Sequence, residues 1–149
     1  MKIEITKENY SLALVRKNKE TTAYVFTENL YSIKHFPNRY GGGSAIIRPE
    51  PNAFPIVTKK KYDYNTRENV DYTDTEENYI EFVEVNAILI DNIKACDKSI
   101  VVFPKGFATD KAKMPTRFAE WLKEALNTNF GLITELNDKK TGLVCKEVV

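Results

Sequence analysis

Two cysteines, one histidine and one tryptophan are all that 149 residues contain of these groups, and the scarcity of cysteine and histidine bears on function. Cys96 and Cys145 lie far apart and fit no CxxC or Cys/His spacing, which argues against a disulfide scaffold or a zinc module and leaves two reduced thiols as the expectation. His35 stands alone, so it completes no usual metal site and no Ser/His/Asp arrangement can be assigned around it. No metal is expected, and His35 takes a surface or structural place. Long hydrophobic runs are missing as well: residues 83–93 and 100–103 are interrupted or too short for the roughly 20 apolar residues that span a bilayer. The opening Met1-Lys2-Ile3-Glu4 alternates in polarity, unlike a secretory leader. A cytoplasmic product without membrane contact is therefore expected. Charge of one sign is also lacking, since 22 Lys plus Arg against 21 Asp plus Glu leave a net +1. That balance gives no general attraction to nucleic acid, and no nucleic-acid binding is assigned.

What the chain does have is 42% hydrophobic content and ordinary levels of charge and aromatics, the composition of a folded domain. A chain of this length buries roughly 70% of the surface its unfolded form exposes. No repeat and no Gly/Ser/Pro-rich linker divides it, so residues 1–149 are read as a single domain.

Strands and helices alternate. Residues 3–20 are ambiguous: Thr6 is able to cap a helix containing Tyr10, Leu14 and Val15, while Leu12-Ala13-Leu14-Val15 also suits a strand; the reading leans to helix. Residues 22–26 read as a buried strand, and 53–58 as a second in which Pro55 implies an edge, bulge or strand start. Residues 62–84 carry eight carboxylates against Arg67, a local −7 that leaves +8 on the remainder. Their first part reads as an exposed loop. Thr73 or Asp74 is placed to cap a helix over 75–94 with Ile80, Val83, Ala87 and Ile90 at helical spacing. A strand at 99–103, a helix opened by Pro115 with Phe118, Trp121, Leu122, Ala125 and Leu126 on one face, a possible strand at 132–134 and an edge strand at 142–149 complete the pattern. It predicts an α/β fold, a layered domain with a mixed, mainly parallel sheet flanked by helices.

Chemistry gathers where the predicted strands end. The first leads to Asn29 and Gly41-Gly42-Gly43-Ser44, the second through Thr58 to Lys59, Lys60 and Lys61, and the third to Lys105, Gly106, Thr109, Lys111 and Lys113. In an open α/β sheet such ends share one rim and form the ligand crevice. Backbone N–H groups of a glycine loop, together with lysines, favour phosphate. The glycines match neither the P-loop nor the GxGxxG dinucleotide pattern, and no cofactor is expected. Asp110, inside the basic loop, either orients a water or ribose hydroxyl or holds the loop together. Phe54, Phe103 and Trp121 are expected in the core.

The segment Tyr24-Val25-Phe26-Thr27-Glu28-Asn29-Leu30, the glycine loop, Pro51-Asn52-Ala53-Phe54-Pro55-Ile56-Val57-Thr58-Lys59-Lys60 and the unit from Val102-Phe103-Pro104 to Lys113-Met114-Pro115 resemble small proteins of tailed phages and prophages over residues 22–130. More remotely, the same order is similar to macro-like domains that bind ADP-ribose or related nucleotides. That resemblance implies a macro-like or Rossmann-like fold, with Asn29, Gly41, Gly42, Gly43 and Ser44 approaching the ligand and Gly106 and Thr109 forming a second phosphate-facing loop. Any catalysis it implies is hydrolysis of an ADP-ribose-like substrate, for which Asn29 and Asp110 are the candidates. Two functions follow as expectations: capture of a phosphorylated small molecule on the glycine/lysine rim, or docking of an early phage protein, through its acidic face and basic rim, onto a host or defence protein.

Overall fold

The computed structural model describes residues 1–108, 113–137 and 142–149. The apolar run expected as a strand extends to β2, Thr22–Asn29, which pairs on one side with β3, Ala53–Lys59, and on the other with β6, Ile100–Pro104. β1, Lys2–Thr6, pairs outside β6. Every pairing in this sheet is parallel, in the order β1-β6-β2-β3. Its central strands read as near-continuous apolar runs because both faces are covered. Ala23, Val25, Val101 and Phe103 enter one core, shared with helices α3, Glu76–Ala95, and α4, Thr116–Phe130. Tyr24, Phe26 and Val102 enter the other, against the short helix α1, Leu12–Lys17, and a 3-10 helix, Gly43–Ile47. A second, antiparallel sheet joins β7, Gly106–Phe107, β9, Gly142–Val148, and β8, Leu132–Asn137, in the order β7-β9-β8. The protein is thus an α/β fold with a mainly parallel main sheet and flanking helices.

Several local readings change. Residues 2–6 form a strand, and Ser11 rather than Thr6 caps α1, its hydroxyl accepting from Leu14 N at 3.1 Å. Thr75, not Thr73 or Asp74, caps α3 by accepting from Asn78 N at 3.1 Å. The expected apolar stripe of α3 is rotated: Ile80 is 48% exposed, and Phe82, Asn86, Ile90 and Ile93 face inward. Phe82 decides the rotation, since its ring meets Tyr72, Phe118 and Trp121 with centroids 5.0–6.0 Å away, a larger apolar contact than Ile80 offers. The acidic segment expected as a loop contains a hairpin of β4, Lys61–Asp63, and β5, Glu68–Val70. Its tip is tied by Asp63 Oδ1, which accepts from Asn65 N at 2.9 Å and Thr66 N at 3.2 Å, a side-chain turn that the charge pattern hides. β9 was expected at an edge and lies in the middle, because the short β7 adds on its far side. Phe103 is fully buried and Phe54 and Trp121 pack against the same core, as expected. Cys96 and Cys145 are free, and burial pushes the Cys145 thiol up to about 12.

Pro55 stands on β3, the edge of the parallel sheet. Two residues on, Val57 turns both its backbone groups outward to Asn86 of α3: Val57 N donates to Asn86 Oδ1 and Asn86 Nδ2 donates to Val57 O, each at 2.9 Å. In a parallel strand every second residue faces the same neighbour, so Pro55 shares that outward side and its missing N–H breaks no ladder bond. Asn86 is fully buried. Left without it, the Val57 groups would each cost about 1–3 kcal/mol.

Candidate functional site

The carboxyl ends of β2 and β3, with Gly106 and Ala108 of the chain that follows β6, open into a cleft of about 690 Å³. The chain leaves β2 toward β3 and leaves β6 toward the antiparallel sheet, which meets β1 through β9. The two exits diverge, which is how parallel sheets create a crevice at that rim. Of the residues selected from sequence, Asn29, Gly41, Gly42, Gly43, Ser44, Thr58, Lys59 and Gly106 come together along this cleft. Lys105 lines an adjoining hollow of about 450 Å³ with Lys7 and Tyr10, and Gly43, Ser44 and Gly106 border both. Lys60 does not join them. Its ammonium turns to Asn78 Oδ1 and Glu81 Oε1, each at 3.0 Å, and lies 5.5 Å from the Tyr72 ring centroid; consecutive residues at a strand end point opposite ways, and a carboxylate of α3 waits on that side. Thr109, Asp110 and Lys111 lie outside the described residues. Lys113 contributes a backbone N–H to Asp71 Oδ1 at 3.1 Å. His35 stacks on Tyr31 with centroids 4.2 Å apart, in keeping with the structural place assigned to it.

Each cleft element has a local cause. Asn29 ends β2 and caps α2, Leu30–His35, its Oδ1 accepting from Ser32 N at 2.8 Å. Its Nδ2 donates to Glu28 Oε1 at 3.3 Å, so both ends of the amide are engaged. Gly41 admits no side chain, since a Cβ there would stand 2.9 Å from both Ala45 Cβ and Arg48 Nη2. Gly43 has φ +57°, where glycine is favoured. The Cβ direction of Gly42 meets nothing within 4 Å, leaving backbone open to the cleft. Ser44 anchors the loop, its Oγ lying 3.4 Å from Thr27 N and 3.2 Å from Thr27 Oγ1.

The floor is a buried ion pair that the sequence reading missed. Glu28 is 1% exposed. Arg48 Nε donates to its Oε2, Arg48 Nη2 to its Oε1 at 2.9 Å, and Asn29 N to the same Oε1 at 3.0 Å. Arg48 Nη1 donates to Arg39 O at 3.0 Å, and the Glu28 carboxylate holds the guanidinium pKa above its ordinary value. The available signal was Glu28 itself, a carboxylate at the end of an apolar strand, which needs a buried partner. Glu28 is the one carboxylate among the described residues lining the cleft, and with four donors on it, it offers no free general base.

Lys59 is the counterpart. Half buried, its side chain makes no hydrogen bond or ion pair among the described residues, and burial lowers its pKa against the opposing pull of Glu28 and Asp71. Beside it, the hydroxyl of Thr58 is fully buried and has no partner among the described residues. Arg39 and the rings of Tyr40, Tyr62 and Tyr64 complete the walls, with Asn69 beside Tyr62. The lining sets Arg39, Arg48 and Lys59 against Glu28; among the described residues it carries no hydrolytic constellation, and no group of three metal-ligating side chains occurs there.

Fold and cleft together define a parallel α/β protein with its crevice at the carboxyl edge of the sheet. Residues 5–127 match the model of a family of unknown function, DUF7831, and the chain belongs to that family. The match includes every described residue that lines the cleft and stops short of β8 and β9. No curated protein and no solved structure matches the chain. No helix among the described residues is long and apolar enough to cross a membrane.

Proposed function

We propose that this protein binds a phosphorylated nucleotide or ADP-ribose-like ligand in the cleft at the ends of β2, β3 and β6. The observation that carries the reading is Lys59, a half-buried ammonium without a partner among the described residues, in the lining of the same cleft as Thr58, whose buried hydroxyl has no partner among the described residues, and the open backbone at Gly42. A buried charge without a partner is costly, and a bound anion relieves that cost. The resemblance to macro-like domains narrows the anion to ADP-ribose and its relatives. Binding is the function, with the phosphate held by Lys59 and glycine-loop N–H groups. Isothermal titration with ADP-ribose, NAD and cyclic nucleotides is expected to give saturable heat for at least one of them. Gly42→Val, whose side chain enters open space, lowers that affinity at least about tenfold with Tm unchanged. Absence of heat for every phosphorylated ligand up to millimolar concentration rejects the reading.

A second reading, an early phage protein docking on a host or defence protein, is favoured by the solvent face of α3. There Glu77 and Glu84 flank Ile80 and Ile88, which are 48% and 62% exposed. Three other acids of the segment are committed within the chain: Arg117 binds Asp74 and Glu76, and Lys60 binds Glu81. On this reading a partner captured stoichiometrically from host lysate is retained by Gly42→Val and lost by Glu77→Lys/Glu84→Lys. The opposite pattern removes the α3 face from consideration.

A further inference from the structure

We infer that the β4–β5 hairpin is a base-reading arm, which makes the ligand of the cleft a nucleotide with a planar heteroaromatic base rather than a sugar phosphate alone. The inference rests on the anion-binding reading above and names the other half of the ligand. Tyr62 lies on β4 directly across from Asn69 on β5, and Tyr64 begins the four-residue tip; all three line the cleft together with Arg48 and Lys59. Tyr64 is 52% exposed yet held in position. It meets Tyr62 edge to face at 5.1 Å and Phe36 at 5.7 Å, and its hydroxyl lies 3.3 Å from Ser32 Oγ. Phe36 is in turn covered by the Arg39 guanidinium at 4.3 Å. A half-exposed ring held in place by its neighbours is a stacking surface, and stacking of bases on such rings is tolerant of base identity. Asn69 supplies the polar half: its amide is half buried and has no hydrogen-bond partner among the described residues, so it presents a donor and an acceptor side by side, the pattern that pairs with the edge of a base.

The hairpin also has little reason to exist for stability. It is a separate two-stranded sheet, a form that is marginal alone in water. It is attached by Lys60 N donating to Val70 O at 3.0 Å and Tyr31 N donating to Lys60 O at 3.2 Å, and by contact with α2. Neither core cluster includes a residue of the hairpin.

The test is isothermal titration of the full chain with adenosine 5′-monophosphate and, separately, ribose 5-phosphate. The wild-type protein is expected to bind the nucleotide roughly five- to hundredfold more tightly, the range of one base stacked on an aromatic side chain. Tyr64→Ala and Asn69→Leu each reduce nucleotide affinity toward that of ribose 5-phosphate and leave ribose 5-phosphate unchanged, while Tyr64→Phe retains nucleotide binding. Equal affinity of the wild-type protein for both probes, or equal loss of both in Tyr64→Ala, overturns the base-reading arm and leaves anion capture standing. Failure of both probes, and of ADP-ribose beside them, to bind overturns the arm and the anion site together.

Discussion

Glu28→Ala is expected to destabilise the protein by about 3–5 kcal/mol, the range for removing one partner of a buried ion pair, and so to lower Tm by roughly 6–20 °C. The reason is what remains: the Arg48 side chain is 7% exposed, and without Glu28 its Nε and Nη2 have no acceptor, while Nη1 keeps only Arg39 O. The same deletion releases Asn29 N and Nδ2, which both donate to Glu28 Oε1. Glu28→Gln, which keeps the shape and one acceptor, loses less. Replacing both partners, as Glu28→Leu/Arg48→Met, recovers much of the loss, because the uncompensated charge goes with its partner. Thermal denaturation of the four proteins checks the order. A Glu28→Ala protein with wild-type Tm would mean that water, not Glu28, satisfies the arginine.

Lys59→Met acts in the opposite direction on stability and strongly on binding. Loss of a charged hydrogen-bond donor to phosphate lowers affinity about ten- to hundredfold. The unliganded variant melts higher than wild type, because burial disfavours the ammonium and lowers its folded-state pKa. Between that lowered pKa and the unfolded-state pKa the unfolded chain binds more protons, so wild-type stability rises with pH there, and below the lowered pKa the full penalty is present. Ligand affinity runs the other way. It is greatest while Lys59 is protonated and declines as pH climbs through the lowered pKa, earlier than an ordinary lysine would impose. Lys59→Arg, whose guanidinium stays charged, flattens that decline. Titrations across the alkaline range, set beside melting curves, measure both; an affinity independent of pH in the wild-type protein removes Lys59 from phosphate contact.

The cleft was legible where its parts sit next to strand ends. β2 and β6 announce themselves as apolar runs, Lys59 ends β3 and the glycines come back to the rim after α2, so the parallel topology places them along one cleft. What escaped depends on long-range pairing. Glu28 and Arg48 are 20 residues apart, and nothing local to either says that they meet. The tyrosines and Asn69 of the hairpin were hidden by charge: eight acids in 23 residues read as solvated chain, whereas three of them bind Arg117 or Lys60 and Asp63 ties a turn. Residues 3–20 were undecidable from Leu12-Ala13-Leu14-Val15 because four apolar residues suit either period; the Ser11 cap settles the helix. Lys60 was misplaced with Lys59 because composition counts lysines and a strand end alternates them.

Asn86 has a consequence beyond the α3–β3 contact. A strand at the margin of a sheet is a template onto which another polypeptide can add, the first step of edge-to-edge aggregation. By presenting an amide oxygen and an amide N–H to Val57, Asn86 imitates the peptide unit of a neighbouring strand, and Pro55 offers an intruding chain no donor. The margin carrying Lys59 is therefore closed to recruitment by a foreign strand from within the molecule, and the mouth beside it can stay open to small solutes without the exposed backbone becoming a seed for fibres.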